Sequence, residues 1–395
     1  MTGLKYFSFE PGENRHCGMK YAVNEMIDTS GAVDCSFMFQ GASASVNFSN
    51  EMTISNNGVG IYLSDFDTSN VTNFENMFRG CENIMINLDN YNQPNTKNNL
   101  LDQVGKAIIG EDNAAVSRFS FRSATNMKEM FCNAGYSKLN ISFNELKIWE
   151  SMPSQVIFPT NGENPENICD ASGMFKGSSL YRIDMSKMKF SSVINFEEMF
   201  SEMISFSFEV QFNPGNRATF DTVAKLVEAV DSHDNAKIEE ALTLAYQNHI
   251  TVNDLISSNS NDAKSYFGTE ILFNQEENWG PTVDGYPISM DRMFAYSNTA
   301  NFHLEKLNTV NVKSMRSMFA FTPFLAYLHV SDDFDTSSVE SMNRMFAYSG
   351  IITGEARFFK YNKEWSEVPP SFKIKDGCVL AEMFANAHLP VDLSV

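Results

Sequence analysis

Basic side chains are scarce in this sequence: 29 Lys and Arg stand against 49 Asp and Glu, a net charge of −20 with a pI near 4.7. A surface so acidic repels the phosphate backbone of nucleic acids and an anionic bilayer, so neither is expected as a partner. No run approaches 18 uninterrupted apolar residues, which excludes a transmembrane helix of ordinary length. The start, MTGLKYFSFEPGENRHC, has no basic segment leading into an apolar one, so no signal peptide is expected. The end, HLPVDLSV, carries no lipidation or wall-anchoring pattern. Six cysteines (Cys17, Cys35, Cys81, Cys132, Cys169 and Cys378) are widely and irregularly spaced, without a CxxC or a Cys/His knuckle, and read as free thiols. Nucleophile elbows, Walker loops, GxGxxG turns and EF-hand loops are absent as well.

Large apolar residues are plentiful. The 395-residue chain holds 34 Phe and 22 Met, and 43% of it is hydrophobic against 20% charged. That balance describes an ordered chain, too long for one core and suited to several units or a repeat array. A Met-Phe dipeptide recurs nine times, beginning at Met38, Met77, Met130, Met174, Met199, Met293, Met318, Met345 and Met383. The tightest spacings, 25 and 27 residues, are those of a solenoid in which each copy adds one coil. Three residues before each Met stands a mostly apolar residue (Phe74, Met127, Ala171, Phe196, Met290, Met315, Met342, Leu380). Six before it the better copies carry Val71, Ala124, Val193, Val312 or Val339. Apolar positions at i, i+3, i+6 and i+7 predict a two-turn amphipathic helix in each copy. Asp67-Thr68-Ser69-Asn70 and Asp335-Thr336-Ser337-Ser338 read as its N-terminal caps, with Ser337 and Glu340 as a capping box.

After each dipeptide a small polar link leads into an alternating segment, as at 180–185, 302–307 and 325–330, which predicts a half-buried strand. One such unit cannot bury its Met-Phe pair alone, so stacked neighbours are expected to turn those side chains into a continuous ladder. The predicted fold is an α/β repeat solenoid, leucine-rich-repeat-like, with a short strand and a short helix per coil of about 25 residues. A cap is expected over 1–30, solenoid repeats over 31–210 with an insertion at 89–120, a helical insertion over 211–285, and repeats with a C-terminal cap over 286–395. Within the insertions, 100–109, 219–230, 235–248 and a short segment beginning at Thr251 read as helices.

The strings FDTSNVTNFENMFRGCENI (66–84) and FDTSSVESMNRMFAYSGI (334–351) resemble the BspA-type leucine-rich-repeat-like surface-protein repeat. Copies at 190–206 and 308–325 are good, and those at 121–136, 168–183, 287–302 and 377–389 are degenerate, so about half of the chain carries the resemblance. It implies a surface-exposed protein, bacterial, mycoplasmal, protist or phage, that binds a host or partner protein. Combined with the missing export signal, it points to a bacteriophage virion component (tail, baseplate, fibre-associated or capsid-decorating), with an adhesin or an intracellular scaffold as the alternative.

Chemistry is thinly represented. Histidines 16, 233, 249, 303, 329 and 388 are dispersed; His303 and His329 share a place in successive strands, a coincidence that repetition explains without a metal. His16 beside Cys17 supplies adjacency but not nucleophile–base geometry. Glu197-Glu198, Glu239-Glu240 and Glu276-Glu277 read as solvated faces in so acidic a chain, since adjacent residues do not share a cleft; a glycan-processing enzyme, the third reading, would need two carboxylates held about 5–10 Å apart across a sugar site. Trp149, Trp279, Trp365, Tyr286, Tyr361, Phe358 and Phe359 lie outside the ladder, either pinning loops or meeting a partner protein or glycan. The expectation is a non-enzymatic protein without cofactor or metal, a homo-oligomer being open, and with no residue assigned to a binding face.

Overall fold

The computed structural model describes residues 29–42, 60–63, 66–81, 85–89, 118–135, 140–149, 154–159, 164–205, 209–212, 214–232, 234, 236–237, 240–241, 244, 268–299, 301–322, 325, 327–331, 333–349, 357–360, 365–366 and 373–387. Nearly all of the expected N-terminal cap, the helix over 100–109, the short helix after Thr251 and the last eight residues lie outside them.

The Met-Phe pairs are the axis of the molecule. Phe39, Phe78, Phe131, Phe175, Phe200, Phe294, Phe319, Phe346 and Phe384 stand in one file, each ring 5.1–5.5 Å from the next and within 9° of parallel. The Met partners from Met77 to Met345 are buried beside them, joined by Val71, Phe74, Met127, Phe196, Met290, Met315, Val339 and Met342. This interior is the predicted ladder, and the burial at three and six residues before Met is as expected.

The backbone around each pair departs from expectation. Instead of a two-turn helix, each copy forms a string of consecutive turns. In the second copy Met77 N–H donates to Phe74 O, Arg79 to Asn76 and Cys81 to Phe78, each three residues back. The alternate amides (Phe74, Asn76, Phe78, Gly80) donate to Asn126, Lys128, Met130 and Cys132 of the next copy. A helix would spend every amide within one copy; these turns spend half of them joining copies. The Phe amide to next-Met carbonyl bond recurs eight times, from Phe39–Met77 to Phe346–Met383, at 2.7–2.9 Å.

The device that permits this is a left-handed residue one before and three after every Met. The first set is Phe37, Asn76, Glu129, Gly173, Glu198, Arg292, Ser317, Arg344 and Glu382; the second is Gly41, Gly80, Asn133, Gly177, Glu202, Tyr296, Phe321, Tyr348 and Asn386. A positive φ at the third position of a turn reverses the chain and is incompatible with a continuing right-handed helix. Each non-glycine residue held there costs about 1–2 kcal/mol, which the inter-copy bonds and apolar burial offset.

Four residues before each Met runs a first parallel ladder: Asp34, Asn73, Asn126 and Asp170, then β6 (Cys169–Asp170), β8 (Val193–Asn195), β11 (Ile288–Ser289) and β13 (Val312–Ser314), then Ser341 and Val379. The residue types follow from a local bond. The side-chain oxygens of Asp34, Asn73, Asn126, Asp170, Asn195 and Ser289 each accept the amide two residues on, an Asx- or Ser-turn that opens the string of turns. The Asp-Thr-Ser strings work in the same manner. Asp335 Oδ1 accepts Ser337 N at 2.7 Å, and Glu340 meets Lys375 at 3.2 Å, so Ser337 and Glu340 form no capping box.

The Thr of this string is buried and spans copies: Thr68 Oγ1 donates to Ser120 O, Thr336 to Lys373 O, and Thr309 to Asp335 O at 2.9 Å. Thr309→Val, which keeps the shape and removes the donor, is expected to cost about 1–2 kcal/mol in urea unfolding, because the carbonyls are left without their bond. No measurable change would show that water replaces it.

A second set of strands follows each Met-Phe turn. β1 (Gly60–Tyr62), β2 (Met85–Asn87), β5 (Gln155–Ile157), β7 (Arg182–Asp184) and β10 (Glu270–Leu272) form one parallel sheet. β12 (Asn301–Leu304), β14 (Tyr327–Val330) and β15 (Arg357–Lys360) form another, closed by antiparallel β16 (Trp365–Ser366). These match the alternating segments read from sequence. The molecule is thus a repeated domain of mostly parallel strands with few helices.

The inserted residues pack as a brace. β3 (Asn140–Ser142), β4 (Lys147–Trp149) and β9 (Glu209–Gln211) make a small antiparallel sheet. Beside it a 3₁₀ turn leads into α1 (Arg217–Asp231), the amphipathic helix expected from sequence. Asp234 Oδ1 accepts Ala236 N at 3.0 Å and caps the next helical stretch. Phe212, Phe220, Val223 and Val227 share a core with Ala320, Phe321 and Ala347. The residues after the Met-Phe pairs stack there in a second aromatic file, Tyr296–Phe321–Tyr348, at 4.7 Å steps. Within the span 211–285, expected as a helical insertion, lies β10, which belongs to the repeat strands.

Candidate functional site

Along β12 the side chains alternate exposed and buried: Phe302 and Leu304 enter the core while Asn301 and His303 face out. β14 pairs in register, His303 opposite His329 and Leu304 opposite Val330. Two histidines therefore meet on the outer face, their rings 4.4 Å apart and 15° from parallel. Glu305, two residues beyond His303, joins the same face. Its Oε1 lies 3.1 Å from His303 Nδ1 and 3.8 Å from His329 Nδ1. Asn301 Nδ2 lies 3.1 Å from His303 Nε2. With the Asn amide donating to Nε2, the Nδ1 proton of His303 donates to Glu305.

The cluster is graded in exposure, with His303 47% exposed, His329 21% and Glu305 13%. Burial pushes His329 down to about 4, the neighbouring His303 pushing the same way and Glu305 opposing. It is consequently a neutral imidazole near pH 7. Burial acts to raise the Glu305 carboxyl, but the His303 hydrogen bond and its own backbone amide outweigh it and hold the group below the usual range. The second oxygen, Oε2, is buried without a hydrogen-bond partner. The ladder explains why the histidines coincide; it does not explain the carboxylate brought between them. Sequence reasoning paired the histidines and missed Glu305, although the period of two that puts His303 outward also puts residue 305 outward.

The other candidate groups do not assemble. His16, Cys17, His233, His249 and His388 lie outside the described residues. Arg292 pairs with both Glu197 and Glu198, Lys176 with Glu198, Lys187 with Glu276 and Lys189 with Glu277. These carboxylates are spent on exposed or half-buried ion pairs, several of them between copies. Trp279 is buried and stacks on Phe273 at 4.4 Å, pinning its loop to the ladder, whereas Tyr286 is exposed. Trp149, Trp365, Phe358 and Phe359 are described in their backbone alone, and Tyr361 lies outside the described residues.

The thiols of Cys35, Cys81, Cys132 and Cys169 are buried. Burial pushes Cys35 and Cys132 up to about 11 and Cys169 up to about 12, so thiolate is scarce near neutral pH. Alkylation of the native chain near neutral pH is expected to leave these three unmodified until denaturant is added, as read by peptide mass spectrometry. Labelling of the native protein at the rate of a free cysteine would contradict their burial.

A family model described as Mycoplasma protein of unknown function, DUF285, matches residues 19–144, 150–279, 216–319 and 288–389. The chain belongs to this family. The matches overlap from one end of the DUF285 chain to the other, as a repeat does when each copy resembles its neighbour. Two of them span α1, so in this DUF285 chain the brace lies inside the array. No curated protein and no solved structure matches it. Among its described residues no helix is long and apolar enough to cross a membrane.

Proposed function

We propose that the chain is a non-enzymatic attachment protein: a leucine-rich-repeat-like solenoid of the BspA type whose outer strand face binds another protein or a surface glycan. One observation carries this reading. Among the described residues the interior is filled by the Met-Phe file, while the outward strand residues stand in ranks. Gln155, Arg182 and Glu270 form one such rank, and His303 and His329 another. Repeated polar ranks on a rigid backbone suit recognition of an extended partner, since each copy presents a contact at a fixed interval. The buried, protonated thiols and ion-paired carboxylates support a role without catalysis.

The setting proposed is a virion, as a tail, baseplate, fibre-associated or capsid-decorating component. A cell-surface adhesin is the second reading, favoured by the description of the family as Mycoplasma proteins. Two measurements separate them. Mass spectrometry of purified particles is expected to find peptides of this chain, and their absence would sink the virion setting. Cleavage of the chain by protease added to intact producing cells would place it on the cell surface. The attachment role itself fails if the purified protein binds neither host cells nor particles, or if hydrolysis of host glycans accompanies it.

A further inference from the structure

We propose that His303, Glu305 and His329 form a binding site for a zinc-class divalent transition metal. One donor atom from each residue lies within 4.8 Å of the other two. Tetrahedral zinc with ligand bonds of about 2.0–2.1 Å has ligand–ligand edges of about 3.4 Å. The Glu305 Oε1 distances to the two Nδ1 atoms, 3.1 and 3.8 Å, bracket that edge, and the two stacked imidazoles would turn about their Cβ–Cγ bonds to converge on a shared ion. Two imidazoles and one carboxylate select zinc, cobalt or nickel over magnesium or calcium, which prefer all-oxygen shells.

Three features prepare the site. The histidines sit on hydrogen-bonded parallel strands, which fixes their spacing through the backbone and not through loops. His329 is only 21% exposed and its ring stacks 4.4 Å from that of His303, so the two imidazoles are held side by side by packing. The buried and unpartnered Glu305 Oε2 is a costly arrangement that a nearby cation relieves. Binding at His303 Nδ1 exchanges its tautomer: the proton moves to Nε2 through solvent, and the Asn301 amide turns over to accept it. Because His303 is half-exposed, the fourth position of the metal opens to water or to a donor from a docking partner. The site stands independently of the attachment role.

The test is titration of chelator-treated, desalted full-length protein with zinc by calorimetry, and with cobalt by visible absorption. Wild type is expected to bind one more equivalent of zinc than His303→Ala or His329→Ala, and Glu305→Gln is expected to weaken that equivalent at least tenfold. The cobalt form is expected to show d–d bands without a thiolate charge-transfer band. Equal stoichiometry in wild type and both histidine variants would overturn the proposal, as would a thiolate band or binding of magnesium in place of zinc. Should His329→Ala misfold, the half-exposed His303→Ala decides alone, since its removal leaves the buried core untouched.

Discussion

Phe319→Ala is expected to lower the unfolding free energy by about 3–5 kcal/mol, the range for truncating a buried Phe. The ring lies between Phe294 at 5.4 Å and Phe346 at 5.3 Å, with Phe302 against its edge at 5.7 Å, and has no exposed surface. Its loss opens a gap in the file that rigid inter-copy hydrogen bonds prevent from collapsing. Phe319→Asp or Met318→Asp is expected to do more, since an unpaired charge would be buried between copies. Val310→Ala, at an exposed position, should stay within about 0.5 kcal/mol. Urea unfolding followed by circular dichroism separates the two classes. Equal loss from Phe319→Ala and Val310→Ala would mean that the file does not hold the fold.

A second large effect is expected at Gly268, beside the start of β10. Its φ is +89°, and a Cβ there would lie 2.4 Å from Thr299 Cα and 2.8 Å from Thr299 N. Those are backbone atoms, so no rotamer change relieves the overlap. The segment is also tied by Gly268 N–H to Ser205 O at 3.1 Å. Gly268→Ala should therefore cost about 3 kcal/mol or more and displace β10 from β7. Gly285→Ala isolates the conformational part of that cost. Gly285 has a φ of +82° with open space around it, so alanine there should cost only about 1–2 kcal/mol. Equal melting shifts for the two would show that the strand start yields and that the contact with Thr299 is not fixed.

The interior was legible in sequence because a repeated dipeptide reports a repeated environment. Strands at 182–184, 301–304 and 327–330 were legible because alternation along a half-buried strand writes its own period. The turn strings were not. Apolar residues at i, i+3, i+6 and i+7 suit a helical stripe, and they equally suit successive turns closed by bonds three residues back. Handedness distinguishes the two, and the left-handed positions are filled by residues such as Glu198, Arg292 and Arg344 that do not advertise it as glycine would. The amides of Phe78 and Phe319 find their partners on the next copy, so the conformation is imposed by stacking and not by local preference. The Asx-forming residue four before Met in the first five copies was the available local signal, because Asn73, Asn126 and Asp170 favour turns over helix interiors. At the candidate site the histidine pair was visible as a strand coincidence, but its carboxylate was not. Glu305 acquires its meaning from burial, which brings its side chain against both rings.

The stacked file is tested most directly by an experimental density map of the full chain at a resolution that places side chains. Nine phenyl rings should appear in one row, at intervals of 5.1–5.5 Å and nearly parallel, with the first eight Phe amides each pointing at the Met carbonyl of the next copy. Continuous α-helices through the Met-Phe pairs, with the rings facing solvent or divided among separate cores, would contradict the account.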